Sequence, residues 1–207
     1  MDSATSDLTP PAPAQHLPAS VARSVKVLVV GAFGVGKTTL IRSVSEIEPL
    51  STEERITTAS VGVDPAVSHK STTTVAMDFG RVTVTDDIAL YLFGTPGQRR
   101  FWDLWAGLAD GAVGALVMVD TRRLESSFEV LDQLELHTKI PFAVVLNHFP
   151  DSPHHPMEQI REALDLLPET PIVSCDVRDR ASAVNSLVAL VELALAQSDR
   201  VAEPVPA

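Results

Sequence analysis

Cysteine is almost missing: Cys175 is the single one among 207 residues. An internal disulfide and a Cys-rich zinc site are therefore excluded. Basic residues are scarce too, 16 Lys and Arg against 27 Asp and Glu, a formal net charge of −11. Such a surface repels phosphate backbones and anionic lipid, which argues against a nucleic-acid or membrane-surface role. No apolar run approaches the roughly 18 residues of a membrane span, and no signal peptide opens the chain. A cytoplasmic protein is expected, recruited to a membrane only through partners. What is plentiful is apolar content: 45 % hydrophobic against 21 % charged residues supports a packed core and speaks against global disorder.

At about 150 residues per domain, the length predicts one domain with tails. Residues 1–22 carry Pro10, Pro11, Pro13 and Pro18 among Ala, Ser and Thr and read as a flexible tail. Ser198 to Ala207, with Pro204 and Pro206, reads likewise, leaving a domain over residues 23–197. Within it, Val25 to Val30 is a near-continuous β-branched run, as a strand buried on both faces requires. Lys37 to Ile47 reads as a helix, and Glu48 to Ser71 as a long loop without period, of the kind that serves as a lid or switch. Thr74 to Thr85 and Ile88 to Phe93 read as a hairpin turning at Asp86-Asp87. Further on, Phe101 to Ala109 and Leu124 to His137 read as helices, and Gly114 to Val119, Phe142 to Leu146 and Ile172-Val173 as strands. Ser152 as N-cap and Pro153 at the first helical position predict a helix with Met157, Ile160, Leu164 and Leu167 on one face. A last helix carries the stripe Val184, Leu187, Val188, Val191 and Leu195. Alternating strands and helices predict a mostly parallel sheet covered on both faces, with ligands beyond the carboxyl ends of its strands.

Just past the first strand stands Gly31-Ala32-Phe33-Gly34-Val35-Gly36-Lys37-Thr38, which fits G-x-x-x-x-G-K-[ST] between a strand and a helix. The glycines let backbone N–H groups curl into an anion nest, and the helix N-terminus adds partial positive charge. Lys37 reaches the β- and γ-phosphates, and the Thr38 hydroxyl takes one Mg²⁺ position. Gly31 through Thr38, together with Thr39, are the phosphate-binding candidates. Ala32 and Phe33 stand where partitioning ATPases carry a second lysine. A small-molecule kinase also begins with such a loop. Arg122-Arg123 is the tempting pair for its Arg-rich lid, but the Gly97-Gln98 segment suits a kinase poorly.

After the hairpin comes Leu92-Phe93-Gly94-Thr95-Pro96-Gly97-Gln98. Its place and its Gly-Gln ending resemble the D-x-x-G-Q segment of small Ras-like GTPases. The resemblance implies a Ras-like, doubly wound, six-stranded mostly parallel sheet with one antiparallel edge strand. It also implies that Gly97 offers its N–H to the γ-phosphate and that Gln98 orients the attacking water, with Lys37 completing the catalytic set. Gly94 departs from the pattern, because the acid that normally holds Mg²⁺ through water is missing. Asp78 on the preceding strand and Asp120 after Val117-Met118-Val119 are the acids that could compensate, although Asp120 reads first as a turn cap or structural contact to the loop. A switch threonine contacting Mg²⁺ should precede the hairpin; Thr74 is the candidate, with Thr72 and Thr73 close alternatives.

The runs Thr72 to Gly80, Leu92 to Gln98 with Phe101-Trp102, and Val119-Asp120-Thr121-Arg122-Arg123 resemble the GTP-binding proteins of actinobacterial conservons. These are similar to MglA-type bacterial Ras-like GTPases, which also lack the third-motif acid. The resemblance spans roughly Val25 to Gln197. It implies GTP/GDP switching with Mg²⁺ and slow hydrolysis. It further implies a roadblock/LC7-domain partner at the switch regions (Thr72 to Gly80, Gln98 to Trp105), and a DUF742 protein and a sensor histidine kinase of the same operon.

A guanine site needs N-K-x-D after the fifth strand, whose carboxylate accepts two hydrogen bonds that adenine cannot donate. Here Asn147 matches, His148 replaces Lys, Pro150 takes the place of the acid, and Asp151 follows one residue late. Asp151 reads as a guanine ligand or as a cap for the following helix. Ser174-Cys175-Asp176 matches the loosely defined fifth motif, with Cys175 as a packed thiol. His148, His154 and His155 lack the framework of a metal site. Arg99 and Arg100 read as solvated charges, and Trp102, off the apolar stripe of Phe101, Leu104, Trp105 and Leu108, as partner anchor or local packing. A scaffold that holds nucleotide with little turnover and relaxed base choice is the competing reading, motivated by Gly94 and Pro150.

Overall fold

In the computed structural model, residues 23–48, 50–51, 77–97 and 103–202 are described. Strand β1 (Arg23–Gly31) leads into helix α1 (Lys37–Val44) and the two-residue strand β2 (Leu50–Ser51). Strands β3 (Asp78–Thr85) and β4 (Ile88–Gly94) form the hairpin, followed by α2 (Asp103–Ala109), β5 (Ala112–Val119) and α3 (Glu125–His137). Then come β6 (Phe142–Asn147), α4 (Met157–Ala163), β7 (Ile172–Cys175) and α5 (Arg180–Ala202). The sheet order is β2-β3-β4-β1-β5-β6-β7. Strands β4, β1, β5, β6 and β7 run parallel, and β3 pairs antiparallel to β4. That is the expected sheet of six strands; the short β2 adds one antiparallel ladder step at its edge, inside the segment expected to lack structure.

Val27 to Val30 of β1 are apolar on both sides because each face meets a different core. Val27 and Val29 pack with Leu40, Ile41, Leu92, Met118 and Leu190 beneath α1 and α5. Leu28 and Val30 pack with Trp105, Val117, Val130, Leu134 and Ile160 beneath α2, α3 and α4. Trp105 is 1 % exposed, so its part of the second switch stretch belongs to the core rather than to a partner surface. Phe101 and Trp102 lie outside the described residues.

The expectations for α4 and α5 are corrected. Helix α4 begins at Met157 after Pro156, not at Pro153. The Ser152 hydroxyl instead accepts the Phe149 N–H at 2.9 Å and closes a turn. Pro156 disfavours helical geometry at the residue before it, which delays the start. Of the predicted face, Ile160 and Leu164 are buried whereas Met157 and Leu167 are exposed. On α5 the buried line is Ala183, Ser186, Leu187 and Leu190, while Val188 and Leu195 face outward. This helix also continues to Ala202, past Ser198 where a tail was expected. By length and composition Arg180–Ser198 would suffice to span a membrane, contrary to the reading of the sequence. One side of it, Ala183, Leu187 and Leu190, is buried where the helix packs over β5, β6 and β7, while Val188 and Leu195 stay exposed.

Candidate functional site

Four loops meet at the carboxyl edge of the parallel strands: those after β1, β4, β6 and β7, with the turn after β5 between them. The loop Gly31–Gly36 winds from β1 into α1. Gly36 caps the helix in a left-handed conformation (φ 109), without any side-chain cap. A Cβ there would lie 2.6 Å from Asn147 Nδ2, so only glycine admits this approach. Lys37 is buried and folds back, its Nζ donating to the carbonyls of Gly31 at 2.8 Å and Ala32 at 2.9 Å. Burial pulls its ammonium down to about 8, while the nearby Asp78 charge works in the opposite direction.

Of the two acids considered for the gap at Gly94, Asp78 lies on the neighbouring strand. Asp78 pairs directly with Gly94 in the β3–β4 ladder. The Thr38 hydroxyl donates to Asp78 Oδ2 at 2.5 Å. A Cβ on Gly94 would meet Ile41 Cδ1 at 2.9 Å and Asp78 Cβ at 3.0 Å, so the space a side chain at 94 would need is already filled. Asp120, the other candidate, is buried and turned elsewhere. It accepts the Arg122 N–H at 3.0 Å and caps the turn Thr121–Arg123. The Arg122 side chain, through its hydrogen bonds, holds the Asp120 carboxyl below its usual range.

Downstream of β4, Thr95 N–H donates to Val29 at 2.9 Å and brings the chain back beside the phosphate loop. At Gly97 an added Cβ would stand 2.7 Å from Phe33 N and 2.8 Å from Lys37 Nζ. Gly97 thus lies against the loop at the lysine's head. Gln98, Arg99, Arg100, Thr72, Thr73 and Thr74 lie outside the described residues.

Asn147, 3 % exposed, joins three segments. Its Nδ2 donates to the Val35 carbonyl at 2.9 Å, and its Oδ1 accepts the Val177 N–H at 3.4 Å. His148 N–H donates to Cys175 carbonyl at 2.8 Å, and its ring Nε2 meets the Ser174 hydroxyl. Asp151 is not a helix cap: it is 71 % exposed and accepts from Arg122 Nη1 at 2.8 Å. Asp176 is engaged by Arg178 Nε and Nη2, both at 2.8 Å, which brings its carboxyl down to about 2. Cys175 is buried, and burial pushes its thiol up, away from the thiolate. His148 and His154 rings stand 6.2 Å apart, and among the described residues no three His, Cys, Asp or Glu side chains converge on a metal position.

Arg122 and Arg123 form no lid. Both guanidinium groups bind Asp120. The sequence reading did not foresee that Arg122 also reaches Asp151; the signal was the Val119-Asp120-Thr121-Arg122-Arg123 run, legible only once β5 and β6 are seen side by side.

A glycine-rich loop on a helix N-terminus, a buried lysine and an asparagine locked to that loop define a P-loop nucleotide-binding fold. The chain belongs to the family described as "Conserved hypothetical ATP binding protein", whose model matches residues 29–197. It is similar to the uncharacterized protein MJ1339 of Methanocaldococcus jannaschii, 33 % identical over 125 residues that cover 59 % of this chain and 69 % of that protein. Among solved structures it is similar in fold to the G domain of the T. maritima FeoB iron transporter, with a TM-score of 0.55 and 18 % identity, covering 83 % of this chain and 99 % of that one.

Proposed function

We propose that this protein is a guanine-nucleotide switch that binds GTP and GDP with Mg²⁺ in the cytoplasm and hydrolyses GTP slowly. The observation that carries the reading is the Thr38–Asp78 contact across Gly94, because it restores an acid at the magnesium position that the sequence of β4 has lost. Magnesium favours few protein oxygens plus phosphate oxygens and water; the Thr38 hydroxyl fits as a ligand and the Asp78 carboxylate as the acid behind it that orients it. When bound, the ion neutralises charge on the β- and γ-phosphates. The chain's own residues do the remainder. The nest and the α1 N-terminus hold the phosphates, and Lys37 exchanges its two backbone carbonyls for phosphate oxygens. Gly97 N–H meets the γ-phosphate, and Gln98 orients water. Asn147 fixes the base side to the phosphate side, with Asp151 as the acceptor for guanine. A roadblock/LC7-domain partner reading the switch stretches, within a conservon or MglA-like system, is supported by the run Thr72 to Gly80 and by Gly97-Gln98.

One observation favours a second reading, a nucleotide-holding scaffold with relaxed base choice: Pro150 stands where the guanine motif carries its acid. The family's description names ATP, which fits the relaxed base choice. Calorimetric titration of nucleotide-free protein with GDP and ADP, each with Mg²⁺, decides between them. A preference for GDP of at least about 100-fold, some 2.7 kcal/mol, supports the guanine switch; equal affinities support the scaffold. Multiple-turnover phosphate release with and without a partner then tests hydrolysis.

A further inference from the structure

The turn after β5 stands between the two halves of the site. Its organising group is Asp120, 1 % exposed. Arg122 is held to it by a two-pronged contact, Nε to Oδ1 at 2.9 Å and Nη2 to Oδ2 at 2.8 Å. The guanidinium carbon lies 3.6 Å from the centre of the Phe149 ring. The remaining nitrogen, Nη1, donates to Asp151 at 2.8 Å. Arg123 departs the other way: its Nη2 donates to Asp120 at 3.3 Å and to the Phe33 carbonyl of the phosphate loop at 3.4 Å. One buried carboxylate therefore orders two arginines, one against each loop.

The contacts differ in what they contribute. An exposed ion pair contributes little by itself, so the Asp151 contact cannot be what fixes Arg122. The planar fork on a buried carboxylate and the stacking on an aromatic face can, and both are particular to arginine. Asp151 is then held by a cation that has already lost its freedom. The segment it braces needs bracing. Phe149 and Ser152 close a tight turn, with Ser152 N–H donating to the Phe149 carbonyl at 3.0 Å. Within that turn the expected acid is Pro150, and the acid that exists comes one residue late.

We infer that Arg122 is a positioning residue for base recognition: it holds Phe149 and Asp151 in the arrangement that reads the purine of a bound nucleoside diphosphate, and takes no part in gripping the phosphates. This rests on the nucleotide-site reading above. It assigns to the turn after β5 a part in specificity that the Asn147–Asp151 segment alone does not carry.

The test titrates the full chain and its R122A, R122K and F149L variants with GDP, ADP and inorganic pyrophosphate in the presence of Mg²⁺. In R122A the preferred nucleotide should bind about tenfold more weakly and the GDP-to-ADP ratio should narrow, while pyrophosphate affinity changes by less than about twofold. R122K should not restore the ratio, because an ammonium makes neither fork nor stack. F149L keeps the ion pairs and should give a smaller loss in the same direction; it answers the question if the alanine variant does not fold. Equal losses for nucleotide and pyrophosphate, or an unchanged ratio in both variants, would overturn the inference. A wild-type protein that binds GDP and ADP equally well sinks it while leaving a nucleotide site in place. A wild-type protein that binds none of the three ligands brings down both readings.

Discussion

Asp78 stands directly across the β3–β4 ladder from Gly94, and its carboxylate, not one on β4, meets the Thr38 hydroxyl. The two positions are complementary in space as well as in chemistry. A side chain at 94 and the Asp78 side chain cannot both occupy the gap beside Ile41.

Asp78→Asn should therefore weaken Mg²⁺-dependent nucleotide binding by about 10- to 100-fold while leaving binding in EDTA nearly unchanged, as fits an outer group that orients a metal ligand. Fluorescent-GDP titrations with and without Mg²⁺ read the difference. An equal loss in both conditions would remove Asp78 from the metal position.

Gly94→Asp alone should destabilise by about 1–3 kcal/mol, because its Cβ overpacks against Ile41. Combined with Asp78→Gly, part of that loss should return, since one of the two clashing groups has gone. The double variant's melting temperature should then exceed the additive expectation, as neighbouring positions couple.

Lys37→Ala should abolish nucleotide binding in the micromolar range, a loss of at least about 100-fold, or 2.7 kcal/mol. Calorimetry with GDP checks it, and retention of wild-type affinity would contradict the phosphate-loop assignment. Gln98→Leu should instead leave GDP affinity intact and slow phosphate release by about tenfold or more, if that residue orients the water. Single-turnover measurements separate the two effects.

Acidification should expose the Asp120 network. Arg122 depresses the Asp120 carboxyl from its ordinary 3.8, so this group stabilises the fold above that value and loses its contribution as pH falls through the lowered one. Asp120→Asn should be less stable than wild type at neutral pH, with the gap narrowing below about pH 4. Melting curves from pH 7 to pH 3 measure it; a constant gap would show that charge at Asp120 is not what holds Arg122.

What the sequence revealed follows the range of the interactions involved. The phosphate loop, the β1 run and the Asp86-Asp87 turn are local, and each stands where periodicity and turn chemistry put it. The cross-strand partnership of Asp78 and Gly94 depends on hairpin register; Asp78 could be named from the sequence, but choosing it over Asp120 required the ladder. Arg122 and Asp151 are 29 residues apart and meet only because β5 and β6 are neighbours. Ser152-Pro153 carries a valid helix-start signal that Pro156 overrides, so α4 begins at Met157. On α5, Val184, Leu187 and Val191 of the predicted stripe pack against the core, whereas Val188 and Leu195 are apolar yet lie off the line that meets the sheet.

Helix α1 is finished at one end only. At its C-terminus Arg180 Nη1 donates to the carbonyls of Ser43 at 3.1 Å and Val44 at 2.8 Å. At its N-terminus Gly36 offers no side chain to the first amides. A helix closed at its tail and open at its head draws part of its stability from whatever anion the solution supplies. Buffer composition thus becomes a thermodynamic variable of this protein. Sulfate or phosphate should raise its melting temperature and, by occupying the same amides, lower its apparent affinity for nucleotide in the same proportion, whereas chloride should do neither.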